Sequence, residues 1–510
     1  MRGLQLSGSQ IEIEAKYDAP GSLRLPPFGR LHGVDRVGDP EAMALEATYF
    51  DTPAFKLAAH GVTLRRRSGG DDPGWHLKTP LPHGARREVH RALNRSRRAD
   101  PQPPVALLRL ARAYLRGDQV APVVRLKTER TRYRMYGPEG DLLADIADDR
   151  VIGQSMGAEV TLTEWREIEV ELVDGNRKLV AAADRLLRRA GAVPATTTSK
   201  LARALDYRPA PPTVGPPGSA GAAVVAYLQE QVTALLAADG AVREDEPDST
   251  HSMRVATRRL RSVLTTYRPL FDRAVTEPIR SELQWLGRLL GQARDAEVTR
   301  VHLRVAVGDL PAELVLGPVR SRLDSHLTSA NRQGRERALA ELEGERYFRL
   351  LDAISALVAA PPLARDAERP AAEVMPRRVA LDWKRLRQRS DRAAAATGPE
   401  EHAVALHEVR KAAKRARYGA ELAVPVAGRP AARFAKQMKR LQTRLGTRQD
   451  TVTTRDVLRA MGARAYLAGE NGFTFGLLHG LERGRAEEAE RQYHVAWQRA
   501  ARKKYRRWLG

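Results

Sequence analysis

The sequence predicts a multidomain chain, with an N-terminal antiparallel β-barrel carrying a few helices, then an all-α half built from two duplicated helical bundles. Three observations point there. Short apolar segments before residue 206 carry charged residues at every second position, residues 206–221 hold five prolines, and long Ala-, Leu-, Arg- and Glu-rich segments of helical period follow. At 510 residues the chain exceeds one hydrophobic core, and 42% hydrophobic residues suffice for two or three.

The first alternating segment, "IEIEAKY" at 11–17, puts Glu12, Glu14 and Lys16 on one face and Ile11, Ile13 and Ala15 on the other. Alone it reads as a half-buried strand with its charges in water. Seven more such segments follow, at 46–50, 61–67, 74–79, 86–92, 123–134, 141–149 and 164–173, with helices at 105–116 and 177–190. The last strand gathers Glu167, Glu169 and Glu171 on one face, where three carboxylates repel one another unless a cation lies among them. Arg65 and Arg67, His76 and Lys78, Arg86 beside Glu88, Arg125 and Lys127, then Arg130 and Arg132 repeat the spacing with bases. In "LLADIADD" both Asp148 and Asp149 are candidate inward acids, and period two from Asp145 favours Asp149. A barrel lined with charge would turn its apolar faces outward against covering helices. Carboxylates would hold Mg²⁺ or Mn²⁺ and the Arg and Lys groups would hold phosphate oxygens, the mixture that cleavage of a phosphoanhydride needs.

Glu-x-Glu-x-Lys in the first strand, Arg65 and Arg67, Lys78, the late Glu-x-Glu-x-Glu and "TSKLARAL" with Lys200 resemble the CYTH domain, the triphosphate tunnel metalloenzyme fold, over roughly residues 8–207. The resemblance implies a tunnel of antiparallel strands that hydrolyses or cyclises triphosphates with Mg²⁺ or Mn²⁺. It implies Glu12, Glu14, Glu167, Glu169 and Glu171 as metal ligands or water activators, with Asp149 among the ligands and Lys16 in the catalytic set. Lys16, Arg65, Arg67, Lys78, Arg86, Arg125, Lys127, Arg130 and Lys200 are the implied phosphate contacts. No nucleobase pocket is selected by the sequence, so inorganic triphosphate is the simplest substrate. Adenylate cyclisation and hydrolysis of nucleoside or thiamine triphosphate stay open.

We expect a barrel domain at 1–207, a linker at 208–220 and a helical domain at 221–510, with repeats at about 221–358 and 371–510. Helical period marks 222–238, 250–268, 278–306 and 316–342, and a proline-containing break lies near 359–370. "HSMRVATRRLRS" from His251 and "HEVRKAAKRARY" from His407 both carry bases 3, 7, 8 and 10 positions after the histidine. "LGQARD" at 290–295 is answered by "LGTRQD" at 445–450, the same offset of about 155 residues. At 3.6 residues per turn, His251, Arg254, Arg258 and Arg261 form one cationic stripe, and His407, Arg410, Lys414 and Arg417 another. Aligned like charges disfavour one another, and a polyanion along the stripe relieves that. These segments resemble the CHAD domain, the conserved histidine α-helical domain, across residues 221–510. The resemblance implies two four-helix bundles around a basic channel that binds inorganic polyphosphate.

The formal charge of +24 draws polyanions. Aromatics at 5% and the lack of a stacking platform make nucleic acid the weaker partner. The absence of cysteine excludes disulfides and thiolate chemistry. No signal-like N-terminus or run of about 20 apolar residues is apparent. The expected location is the cytoplasm, with association to polyphosphate granules following from the helical ligand. The leading expectation is a metal-dependent triphosphatase, or phosphoanhydride hydrolase, that docks on polyphosphate. The alternative is a non-catalytic polyphosphate-binding protein whose barrel holds its ligand without turnover.

Overall fold

The computed structural model describes residues 9–93, 102–157, 159–197, 199–208 and 211–510, so Pro209 and Ala210 of the expected linker lie outside the described residues. The chain forms two compact units, residues 1–211 with 236–246, and residues 212–235 with 247–510.

The first unit contains β1 (Ser9–Asp18), β2 (Arg36–Val37), β3 (Glu41–Asp51), α1 (Lys56–Ala59), β4 (Thr63–Ser68), β5 (Gly74–Pro80), β6 (Arg86–Ala92), α2 (Val105–Leu110), α3 (Arg112–Leu115), β7 (Ala121–Tyr136), β8 (Leu142–Ser155), β9 (Leu162–Leu172), α4 (Arg177–Arg189), β10 (Val193–Pro194) and α5 (Lys200–Ala204). Eight strands close an antiparallel barrel in the order β1-β6-β5-β4-β3-β7-β8-β9, with β9 returning to β1 through Lys16↔Glu169 and Glu14↔Glu171. The short strands β2 and β10 add to β7 and β1. The segment expected as one helix at 105–116 is two short helices meeting at Ala111.

Strand parity sorts the side chains. Tyr17, Met135, Ile146, Ile168 and Val170 face outward and bury Leu179, Ala183 and Leu187 of α4. The inward face divides in two along the barrel axis. One half carries the charged residues. In the other, Ala47, Val124, Leu126, Val151 and Trp165 pack with Leu201 and Ala204 of α5, so apolar side chains fill that end. The bore is therefore blind.

The remaining helices are α6 (Ala220–Arg243), α7 (Ser249–Thr266), α8 (Arg273–Gly308), α9 (Val319–Leu342), α10 (Glu345–Ala359), α11 (Ala371–Ala395), α12 (Pro399–Leu467) and α13 (Phe473–Ala500). Among the described residues α6 alone is long and apolar enough to cross a membrane, marginally, and half of its apolar window is buried in the fold. In the sequence, alanine and glycine dilute its apolar run.

α7 and α8 form a hairpin, with Arg254 Nη1 2.9 Å from Asp295 Oδ1. α12 folds into an equivalent hairpin at Gly428, between Pro425 and Pro430, and brings Arg417 Nη1 3.0 Å from Gln442 Oε1. The turn needs glycine because φ is 62° and ψ is −141° there. A Cβ at Gly428 would meet nothing within 4 Å, so replacing it tests the backbone alone. Gly428→Ala is expected to lower stability by about 1–3 kcal/mol, read as an earlier loss of helical circular dichroism in urea. An unchanged midpoint would show that the turn tolerates a side chain.

Candidate active site

The charged half of the barrel encloses a cavity of about 230 Å³. Its floor, against the apolar plug, is a cluster around Lys200. The Lys200 Nζ lies 2.6 Å from Glu167 Oε1, 2.8 Å from Glu169 Oε1 and 3.0 Å from Asp149 Oδ2. Arg130 donates both arms of its fork to Asp149 at 2.7 Å and a further bond to Glu169 at 2.8 Å. Lys16 reaches Glu169 at 2.5 Å and Glu14 at 3.3 Å. Trp165 Nε1 donates to Glu167 at 2.6 Å. Burial alone would push Glu169 up, but Lys16, Lys200 and Arg130 outweigh it and hold the carboxyl well below its usual range. Lys200 is held well above the usual lysine value, its burial outweighed by Glu167 and Glu169.

The middle layer is built on Glu12 and Glu88. Lys78 Nζ lies 2.7 Å from Glu12 and 3.7 Å from Glu88, and Arg65 lies 3.6 Å from Glu88. Burial and the hydrogen bond shared with Glu88 push Glu12 up to about 8, while His76, Lys78 and Arg65 overcome burial and keep Glu88 ionised. His76 faces two acceptors, Glu88 Oε1 at 2.9 Å and the Asp72 carbonyl at 3.1 Å, and burial with Arg65 and Arg67 nearby pushes its ring down to about 4. Arg86 lies 3.5 Å from Glu14, and Arg65 donates to the Tyr49 hydroxyl at 3.2 Å. At the mouth stand Arg67, Arg132, Asp145 and Glu171, with Asp71 and Asp72 from the loop between β4 and β5. Burial raises both Asp145 and Glu171.

The barrel thus gathers Glu12, Glu14, Lys16, Arg65, Arg67, Lys78, Arg86, Arg130, Glu169, Glu171 and Lys200 around one cavity, with Glu167 and Asp149 beneath. It does not bring Arg125 and Lys127 there. β7 pairs with β8 without a bulge from Val124 to Met135, so these odd-numbered residues lie exposed on the outer face, opposite to Arg130 and Arg132. Asp149 is 0% exposed, whereas Asp148 faces the other way and accepts from Arg166 at 2.8 Å. The structure adds Tyr49, Glu88, Arg132, Asp145 and the loop acids to the site residues expected from the sequence. The parity of "ARREVH" carried the signal for Glu88; Tyr49 reads as core in its strand.

Asp149, Glu167 and Glu169 offer oxygens that all lie within 4.8 Å of one another, the only such group among the described residues. An all-oxygen, anionic donor set suits a hard divalent cation, and the Lys200 ammonium already places a positive charge among these oxygens. The residues present therefore fit a hard divalent metal ion. Glu12, Glu14 and Glu171 stand nearer the mouth, outside this group.

In the helical unit, Arg254 and Arg258 of α7 and Arg410 and Lys414 of α12 converge. Burial and the charges of Arg410, Arg258 and Arg254 push Lys414 down to about 7. Arg254 lies against Gly291 and Arg410 against Gly446, the glycines of the two Leu-Gly segments. Asp295 binds Arg254, and Asp450 sits beside Arg410. His251 is exposed near Arg294 and Arg258, and His407 Nδ1 lies 2.9 Å from Gln449 Oε1. Arg261 and Arg417 stand apart from that convergence, the first near Arg280 and the second paired with Glu421 at 2.6 Å.

Family models match both halves, a CYTH domain at residues 10–205 and a CHAD domain at 226–459. Uncharacterized proteins from two strains of Mycobacterium tuberculosis are 38% identical over 503 residues, 95% of each chain. The chain is a CYTH–CHAD protein. It is also similar to PptA from Streptomyces chartreusis, at 22% identity over 55% of this chain and 99% of that one with a TM-score of 0.47. The CHAD domain from the plant Ricinus communis matches at 22% identity over 59% and 96%, with a TM-score of 0.40.

For this CYTH–CHAD protein the floor cluster sets a stability test. Lys200→Met removes the ammonium from among Asp149, Glu167 and Glu169, so the barrel is expected to lose about 3–5 kcal/mol at neutral pH. Glu169 has a depressed folded value, so its contribution is present above the unfolded carboxyl value and lost as pH falls. The gap between wild type and variant should therefore narrow below about pH 4. Added Mn²⁺ should restore part of the variant's stability in thermal melts. A pH-independent gap would show that charge is not what Lys200 supplies.

Proposed function

We propose that the barrel is a metal-dependent triphosphatase acting on inorganic triphosphate or a related short phosphate chain, and that the helical unit binds inorganic polyphosphate. One observation carries the first part. Eight carboxylates and eight cationic groups line the cavity, with buried Asp149 and Glu167 beneath them. Such a lining has no spare positive charge, so a triphosphate can enter only with divalent cations that neutralise it.

Arg65, Arg67, Arg86, Lys78 and Arg132 line the same cavity and would hold the phosphate oxygens. Asp149, Glu167 and Glu169 would hold a metal, which when bound supplies charge neutralisation at the phosphates and an activated water. Lys16, Lys200 and Arg130 hold Glu169 ionised, Lys200 and Arg130 do the same for Asp149, and Lys200 lies against Glu167. Phosphoryl transfer needs little else from a protein than such positioning. The lining contains Tyr49 as its single aromatic ring, held by Arg65, so a platform for a nucleobase is lacking among the described residues. This favours inorganic triphosphate over nucleotide cyclisation.

The second part rests on the convergence of Arg254, Arg258, Arg410 and Lys414. Among the described residues the Nε groups of Arg258 and Arg410 are buried without an acceptor, and Lys414 is held down by its cationic neighbours. A polyanion relieves both conditions.

Purified protein with Mg²⁺ or Mn²⁺ should release phosphate from inorganic triphosphate, and chelation should abolish release. Glu167→Gln and Glu169→Gln should each lower kcat by about 10²-fold or more. No release from any triphosphate would make the barrel a binding module. In the helical unit, a bound polyanion raises the Lys414 value, so binding takes up a proton above pH 7. Affinity for long-chain polyphosphate should fall by roughly tenfold between pH 6 and 9. Lys414→Met should bind more weakly at pH 6 and flatten the profile. An unchanged slope would remove Lys414 from the contact.

A further inference from the structure

The loop of residues 69–73, between β4 and β5, reaches across the open end of the barrel. Gly69 and Gly70 have φ values of 77° and 70°, and a Cβ at Gly69 would stand 2.2 Å from the Ala44 carbonyl oxygen. Only glycine lets the loop lie this close on β3. The seating places Asp71 Oδ2 2.7 Å from Arg132 Nη2 and sets the Asp72 carboxylate against Arg67.

These pairs are lopsided. The arginine side chains are 11% and 15% exposed, whereas those of Asp72 and Asp71 are 51% and 65% exposed. The cations belong to the cavity wall and the acids to the surface, so the acids can leave for water at little cost. Arg67 and Arg132 also keep buried Nε–H groups without an acceptor among the described residues, so the acids do not saturate them. At the far end Val124, Leu126, Val151 and Trp165 with Leu201 fill the bore. An anion enters and leaves through one mouth, past the two acids.

We propose that Asp71 and Asp72 set the length of phosphate chain the barrel accepts. Asp71, together with Glu41 of β3, holds Arg132, and Asp72 holds Arg67, until the outermost phosphate of a bound chain takes these groups over, and the two loop acids repel any phosphate that continues beyond the mouth. The acids thus select a chain that ends at the rim, and a longer chain is admitted only poorly. This rests on the triphosphatase reading, and deepens it from a reaction to a length preference.

The test compares full-length wild type with the double variant Asp71→Asn, Asp72→Asn, measuring kcat/KM for inorganic triphosphate and for long-chain polyphosphate with Mg²⁺. Removing two rim charges should raise the ratio of long-chain to triphosphate kcat/KM about tenfold. The pair Asp71→Glu, Asp72→Glu should keep the wild-type ratio. Gly69→Ala, which unseats the loop without touching a charge, should shift the ratio in the same direction as the Asn pair. Thermal melts check that each variant is folded. An unchanged ratio in both the Asn pair and Gly69→Ala, with wild type active, overturns the length assignment alone. A wild type that releases phosphate from neither substrate removes the triphosphatase reading, and the length assignment falls with it.

Discussion

The barrel rests on one electrostatic condition, that charges taken out of water inside it are matched at short range. A buried ionised group without a partner costs several kcal/mol, so a bore lined with carboxylates or with guanidinium groups alone would not close. Here Glu169 is shared by Lys16, Lys200 and Arg130, Asp149 by Arg130 and Lys200, and Glu88 by His76, Lys78 and Arg65. The pairing stabilises the fold and prepares the chemistry together. It holds Glu169 and Asp149 ionised, as metal ligands would have to be, and leaves the mouth arginines with donors to spare. Unlike an oxygen site that merely collects acids, this one contains an ammonium where a metal cation would be welcome.

The same condition explains why the barrel is only half charged. An eight-stranded barrel has room for side chains but not for a water-filled channel along its whole length. Filling one end with Val124, Leu126, Val151 and Trp165 supplies hydrophobic burial that the charged end cannot. It also lowers the dielectric beneath the Lys200 cluster, which strengthens every ion pair there. The plug and the charged floor therefore support each other, and α5 contributes to both, through Lys200 on one side and Leu201 and Ala204 on the other.

Much of this was legible because a strand's side-chain period is fixed at two. Glu12, Glu14 and Lys16, or Glu167, Glu169 and Glu171, share a face whatever their partners, and the choice of Asp149 over Asp148 is a parity argument. Parity also shows where the reading failed. Arg125 and Lys127 are odd-numbered and Arg130 and Arg132 even-numbered on a strand without a bulge, so both pairs could not face inward. The blind end was not legible, since Val124 and Leu126 alternate with Arg125 as any half-buried strand would, and only the arrival of α5 from far along the chain assigns that face. Asp71 and Asp72 lie in the Gly-rich connection "SGGDDPG", and their reach to Arg132 and Arg67 depends on how closely the glycines seat the loop on β3. In the helical unit the duplication was visible as repeated spacing. That α12 should turn at Gly428 follows from two prolines flanking a glycine, but its pairing of Arg417 with Gln442 does not.

The two units handle anions by opposite physics. In the barrel nearly every charge already has a partner, so a phosphate gains mainly by exchanging one ionic contact for another, and selectivity comes from where those contacts are placed. In the helical unit Arg254, Arg258, Arg410 and Lys414 repel one another, and any polyanion that spans them gains the relief of that repulsion, whatever its length. Binding of the second kind is screened by salt and tolerant of the ligand, whereas binding of the first kind is exacting and less sensitive to ionic strength. On the proposed function, a single chain carrying both would hold a polyphosphate loosely and act on a phosphate end selectively, because the free energy that drives each step would have a different source.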